Sequence, residues 1–190
     1  MKILVLDNYD SFTYNLVHII KELGYGSHLD VHRNDKITVE EVSKYDKILL
    51  SPGPGIPEEA GNMMEIIKVY APEKSMMGVC LGHQGIGESF GAKLHNMEHV
   101  LHGVANNVIV KNSRERLFLD LPDEFSACRY HSWTVVPDDL PDCLEITAED
   151  ENGLIMALAH KNYDVRGVQF HPESYITEYG KKMLTNWLKS

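Results

Sequence analysis

Cys80 is the residue whose surroundings most resemble those of a nucleophile. It stands in Gly78-Val79-Cys80-Leu81-Gly82-His83-Gln84, after an apolar run at 75–79 and before an amphipathic stretch at 82–90. The pattern predicts a strand, a sharp turn carrying the cysteine, and a helix: a nucleophile elbow with sulfur in place of oxygen. Glycines two residues to either side leave room for a tight, strained backbone. A helix start beside the sulfur brings free N–H groups and the positive end of a dipole, and both favour a thiolate. A small buried cysteine closing a core strand fits the same stretch equally well. What separates the two readings is whether the chain also supplies a base and a group to orient it.

One of the ten histidines has the surroundings of such a base. In Val168-Gln169-Phe170-His171-Pro172-Glu173-Ser174, His171 follows an apolar strand, Pro172 stiffens the turn, and Glu173 lies two residues on. A carboxylate so placed accepts a hydrogen bond from one ring nitrogen and leaves the other to face a sulfur. Alone, His-Pro-Glu is also an ordinary strand-to-loop exit.

These positions need a scaffold that brings residue 80 to residue 171. Short apolar runs at 3–6, 47–50 and 75–79 read as strands buried on both faces, with a weaker strand at 29–32. Asp10 or Ser11 caps a helix whose apolar face is Phe12, Leu16, Ile19, Ile20 and Leu23, and Gly24 ends it. Residues 36–45 form a short helix or helical turn, and 58–70 a helix. Strand and helix alternate, which implies a parallel sheet flanked by helices, with strand C-terminal ends on one edge. Asp7, Gly53 and Cys80 lie at such ends, where open parallel sheets bind ligands. Ser51-Pro52-Gly53-Pro54-Gly55-Ile56-Pro57 is neither helix nor strand but a stiff loop of fixed shape. The second half changes character. Strand-like runs at 108–110, 125–130, 133–136, 144–148, 154–159 and 165–170 are separated by turns and read as antiparallel hairpins added to the parallel core. A closing helix is expected at 176–188. The 190 residues are read as one α/β domain, 1–190.

The formal charge of −10 argues against a nucleic-acid partner. The longest apolar run, 154–159, is too short to span a bilayer, and the first residues lack a signal-peptide core. Three cysteines without a Cys-x-x-Cys fit a reducing, cytoplasmic setting, with Cys128 and Cys143 as packing residues.

The Pro-Gly-Pro-Gly loop, the Gly-Val-Cys-Leu-Gly-His-Gln stretch and Gln-Phe-His-Pro-Glu occur in that order. Together they resemble the class I glutamine amidotransferases over almost the whole chain. Asp7 to Leu16, the loop at 51–57 and Arg129-Tyr130-His131-Ser132 narrow the resemblance to the glutaminase components of anthranilate synthase and aminodeoxychorismate synthase. The resemblance implies a flavodoxin-like mostly parallel sheet and a triad of Cys80, His171 and Glu173. It implies an oxyanion hole of the backbone N–H groups of Leu81 and Gly53; Pro54 has no N–H, and Gly55 shapes the loop. L-glutamine would contact Gly53, Pro54, Gly55, Gln84, Ser132 and Trp133. It also implies a chorismate-binding partner of the anthranilate synthase component I type. No metal or other cofactor is expected on this chain, and any magnesium would belong to the partner. Relatives of this type usually carry a basic residue after the His-Gly pair seen here as His102-Gly103, where this chain has Val104, on the partner-facing side.

Other readings are weaker. His95, His99 and His102 lack the surrounding ligand set of a metal site. The glycines of 82–91 follow a cysteine and have no phosphate-loop lysine. A non-catalytic regulatory subunit is disfavoured by the intact Cys80, His171 and Glu173. A free-standing gamma-glutamyl hydrolase is disfavoured by the stretch Asp7 to Leu16.

Overall fold

A computed structural model of the chain describes residues 1–138 and 140–189, with residues 98–104 described by their backbone alone. The first apolar runs become β1 (Ile3–Asp7), β2 (Leu29–Arg33), β3 (Lys47–Leu50) and β4 (Ser75–Val79). The second half supplies β5 (Leu94–Val110), β6 (Glu124–Val135), β7 (Leu144–Glu149), β8 (Ile155–His160) and β9 (Val165–Val168). Among the described residues these form one sheet in the order β2-β1-β3-β4-β9-β8-β7-β5-β6. The first five in that order are parallel, and every later pairing is antiparallel.

Strand β9 decides the architecture. It lies parallel to β4 on one side and antiparallel to β8 on the other, with Val79 opposite Val168. The chain therefore leaves two neighbouring strands at the same sheet edge, once into Cys80 and once toward His171. The Cys80 N–H donates to the Val168 carbonyl at 2.9 Å and locks that juxtaposition.

The two sheet faces follow from side-chain alternation. Ile3, Val5, Leu49, Met77 and Val79 face α1 (Thr13–Ile20) and α4 (Gly180–Leu188), which contribute Leu16, Ile20, Met183, Leu184 and Trp187. Leu4, Leu6, Ile48, Leu50 and Met76 face α2 (Met63–Tyr70) and α3 (Leu81–Ser89), which contribute Met63, Ile66, Ile67 and Ile86. Both sides are covered, so strands β1, β3 and β4 read as continuous apolar runs without alternation.

Several expected boundaries move. Residues 58–70 are not one helix: a 3-10 turn at Pro57–Glu59 precedes α2, and the break falls at Gly61. Gly61 has φ +54°, and a Cβ there would stand 2.9 Å from the Asn34 backbone. The expected strands 125–130 and 133–136 are a single β6. His131 and Ser132 interrupt its apolar pattern because they line a cavity, described below, and not because the chain turns. Gly91 (φ +98°) makes a turn, but β5 then runs unexpectedly long, with register irregularities between Asn96 and Leu101 and between His102 and Val104. The helix at 12–23 is regular only to Ile20 and finishes in a wider turn, Lys21–Tyr25, through Gly24 at φ +92°. The 36–45 segment holds a 3-10 turn at Glu40–Lys44. The closing helix begins at Gly180, later than expected: the Thr177 N–H closes a turn on the Ser174 carbonyl at 3.0 Å, and Tyr179 stands in the left-handed region at φ +59°.

Candidate active site

Cys80 occupies the turn between β4 and α3 with φ +52° and ψ −101°. A non-glycine residue in that region costs on the order of 1–3 kcal/mol and persists only where its surroundings hold it. The flanking glycines do not carry the strain; they allow close approach. A Cβ on Gly78 would stand 2.5 Å from the Gly82 backbone, and one on Gly82 would stand 2.5 Å from the Leu50 carbonyl oxygen. The first turn of α3 is thus pressed against β3 and β4. The sulfur is nearly buried, with the Tyr130 carbonyl oxygen at 3.9 Å and the Gln169 side-chain nitrogen at 3.6 Å.

His171 and Glu173 follow β9. Nδ1 of His171 is 2.7 Å from Glu173 Oε1, and both side chains are buried. Nε2 is also buried and makes no hydrogen bond of standard geometry. Burial by itself disfavours the imidazolium. Interaction with Cys80 and with Glu173 outweighs it and raises the histidine from 6.5 to about 10. The ring is fixed from several sides. The His171 N–H donates to the Cys128 carbonyl at 3.0 Å, Thr177 Oγ1 donates to the His171 carbonyl at 2.6 Å, and Tyr130 and Phe12 pack edge-on at 5.2 and 6.0 Å.

In front of the sulfur lies a cavity of about 220 Å³. Gly53, Pro54 and Gly55 line it on one side; Cys80, Gln84, Ser132 and Trp133 complete it, so all the expected glutamine contacts converge there. Gly53 is held tightly: a Cβ there would lie 2.6 Å from both Asn8 and Leu81. Leu81, as the first residue of α3, has an N–H without an intrahelical acceptor. Sequence reasoning missed Tyr130 and His131 as lining residues. Tyr130 also lines a second cavity of about 160 Å³, together with His171 and Glu173. Two polar neighbours went unassigned. Gln169 is fully buried within an otherwise apolar run, and His83 is enclosed. Burial lowers His83 to about 4, against the Gly167 backbone beside it, so the ring is neutral.

The structure thus places a buried cysteine on a strained strand–helix turn near a histidine–carboxylate pair from a neighbouring strand end. The class I glutamine amidotransferase family profile matches residues 4–190. The chain belongs to that family. An anthranilate synthase component 2 from Azospirillum brasilense is 47% identical over 191 residues, covering 99% of this chain and 95% of that one. An aminodeoxychorismate/anthranilate synthase component 2 from Bacillus subtilis is 44% identical over 190 residues, covering 99% and 96%. Among solved structures, a Thermoplasma acidophilum protein assigned to GMP synthase superposes with a TM-score of 0.88 at 28% identity, covering 100% of this chain and 92% of that one. This amidotransferase is therefore of the anthranilate/aminodeoxychorismate synthase type, on the expected α/β fold. Among its described residues, no group of three or more His, Cys, Asp or Glu side chains converges as a metal set, and no helix is long and apolar enough to cross a membrane. The side chains of His99, His102 and Val104 lie outside the described residues.

Proposed function

We propose that this amidotransferase is a single-domain glutaminase component, residues 1–190, that hydrolyses L-glutamine through a thioester on Cys80 and passes ammonia to a chorismate-using synthase chain. The observation that carries the reading is the meeting of Cys80, on its strained turn, with the His171–Glu173 pair across the β4–β9 register. His171 Nε2 takes the thiol proton, and the thiolate attacks the side-chain amide carbon of glutamine. The oxyanion is met by the N–H groups of Gly53 and Leu81, each donor worth about 3–4 kcal/mol by analogy with other acyl-transfer enzymes. The tetrahedral adduct collapses, its C–N bond breaks, and His171 returns the proton to the departing ammonia. Water, deprotonated by His171, then attacks the thioester, releasing glutamate and the free thiol. Glu173 holds the imidazole throughout.

Gln84 commits its amide nitrogen to the Trp133 carbonyl at 2.8 Å and to Gln169 Oε1 at 3.2 Å, so its oxygen is the group left to receive an N–H of glutamine. The Trp133 carbonyl also takes His131 Nδ1 at 2.8 Å and has no lone pair to spare. Trp133 therefore serves glutamine through its other atoms, beside Ser132. The chemistry calls for no cofactor on this chain; any magnesium belongs to the synthase chain. The three free cysteines suit a cytoplasmic location.

The partner is a component I-type subunit in a heteromeric complex, and anthranilate is the favoured product, a step of tryptophan synthesis. The double name of the Bacillus subtilis relative favours a second reading, in which one glutaminase serves aminodeoxychorismate synthesis also. Cys80→Ser in the complex isolated from its native cell should abolish glutamine-dependent synthesis and spare ammonia-dependent synthesis. Loss of both activities would overturn the assignment of Cys80. Product analysis of the same complex, anthranilate against aminodeoxychorismate, separates the two readings.

A further inference from the structure

A chain of buried polar groups, most of them without a part in the proposed hydrolysis, ends at the Cys80 sulfur. We propose that Gln169 is a catalytic hydrogen-bond donor to the Cys80 thiolate, and that Asp150, Arg129, His131 and Gln84 are positioning residues that fix which end of its amide faces the sulfur.

The direction of every bond follows from one atom, the Trp133 carbonyl oxygen, which can only accept. Two groups approach it, His131 Nδ1 and Gln84 Nε2, each at 2.8 Å, so both must be donors. His131 carries its proton on Nδ1. Burial, reinforced by the nearby Arg129 charge, lowers His131 to about 3, so the ring is neutral and Nε2 is bare. That bare nitrogen accepts from Arg129 Nε at 3.0 Å. Arg129 cannot turn away, because its Nη1 donates to Asp150 Oδ2 at 2.7 Å in a pair that is 1% and 3% exposed. Asp150 is fixed in turn by its other oxygen, which accepts from the N–H groups of Asn152 and Leu154 at 2.9 Å.

On the far side of Trp133, Gln84 has its NH2 end committed. The same nitrogen lies 3.2 Å from an end of the Gln169 amide, and that end must be the oxygen. The NH2 end of Gln169 is thereby the one left facing Cys80 Sγ, at 3.6 Å. Turning the Gln169 amide over would set its oxygen against the sulfur and leave the Gln84 N–H facing another N–H. In a fully buried site both errors are costly. The chain draws on β6, the β7–β8 turn, α3 and the exit of β9. A sheet of this size could fill the same space more cheaply with apolar side chains. A donor held against a sulfur that must become anionic gives those polar residues a task.

The test is the pH profile of Cys80 alkylation by iodoacetamide in the full chain, read by mass spectrometry with Cys128 and Cys143 as internal references. A small electrophile keeps glutamine binding out of the measurement. In Gln169→Leu the rate should fall about tenfold near neutral pH, the loss of one charge-assisted hydrogen bond. It should converge on wild type in alkaline solution, where the thiol ionises without help. Gln169→Glu, which preserves shape and sets a carboxylate against the sulfur, should fall further near neutrality and likewise recover. Gln84→Leu, which frees the Gln169 amide to turn over, should show a smaller neutral-pH loss. The groups acting on the sulfur from the other side, His171 and Glu173, are unchanged in all three. Profiles superimposable on wild type, or rates reduced by one factor at every pH, would overturn the proposal. Gln169→Glu decides alone if thermal melting shows that Gln169→Leu does not fold. Wild-type labelling of Cys80 no faster than of Cys128 would instead remove the nucleophile reading on which the proposal rests.

Discussion

Gly180 opens α4 directly behind the loop that carries His171 and Glu173. Its φ is not in the left-handed region, so the backbone does not require glycine; space does. A Cβ at this position would stand 1.8 Å from the Pro172 carbonyl oxygen and 2.7 Å from its carbon, where real Cβ contacts essentially never fall below 3.0 Å. Both atoms are backbone and cannot rotate aside. In Gly180→Ala, either the first turn of α4 or the Pro172 peptide must retreat by more than about 1 Å, a displacement that by itself can cost about a hundredfold in rate. Helix α4 is the less free of the two, because Met183, Leu184 and Trp187 are fully buried. The movement should therefore pass to Pro172, and through it to His171 on one side and Glu173 on the other. The expected stability cost is that of overpacking, about 1–3 kcal/mol, and each kcal/mol lowers Tm by about 2–4 °C at this chain length. A folded variant, verified by thermal melting, should hydrolyse glutamine roughly a hundredfold more slowly. Turnover within about threefold of wild type would refute rigid coupling of α4 to the proposed triad, since a 1 Å displacement could not then have reached it.

Two further substitutions address the site's electrostatics. Glu173→Gln exchanges a charge-assisted hydrogen bond for a neutral one, a loss of about 1–2 kcal/mol, and should move the alkaline limb of glutamine hydrolysis down by about one unit. The KM for glutamine should stay put, because Glu173 does not line the cavity proposed for glutamine; a change in KM alone would contradict its role. His171 is raised on folding, so its stabilisation is complete below the ordinary 6.5 and is lost as pH climbs through about 10. Thermal melts of wild type should decline across that window and those of Glu173→Gln should decline less; matching curves would count against the ion pair. Asp150→Ala leaves the Arg129 charge buried and unpaired, and should cost about 3–5 kcal/mol in urea unfolding. A cost under about 1 kcal/mol would mean that Arg129 finds another partner.

The parallel core was legible in the sequence because β1, β3 and β4 are covered on both faces and must be apolar throughout. Cys80 stood out because it lies between glycines at a change from strand to helix pattern, but that stretch alone fitted a packing cysteine equally well, and only His171 and Glu173 tipped the reading. His171 and Glu173 were legible because the spacing that lets a carboxylate hold an imidazole is local, two residues, and needs no tertiary knowledge. The proposed glutamine contacts came only through family resemblance. Helix ends were misjudged wherever a contact from elsewhere stopped the helix, as Asn34 does at Gly61. Tertiary structure alone decided that residues 80 and 171 meet, through the pairing of β9 with β4, which no local pattern encodes. It also decided what Gln169, Arg129, His131 and Asp150 do. In sequence Gln169 is a polar residue in an apolar strand, and its contact with Cys80 spans 89 positions. A hydrogen bond between side chains so far apart depends on strand register and on the direction of each donor, and both exist only once the sheet has formed.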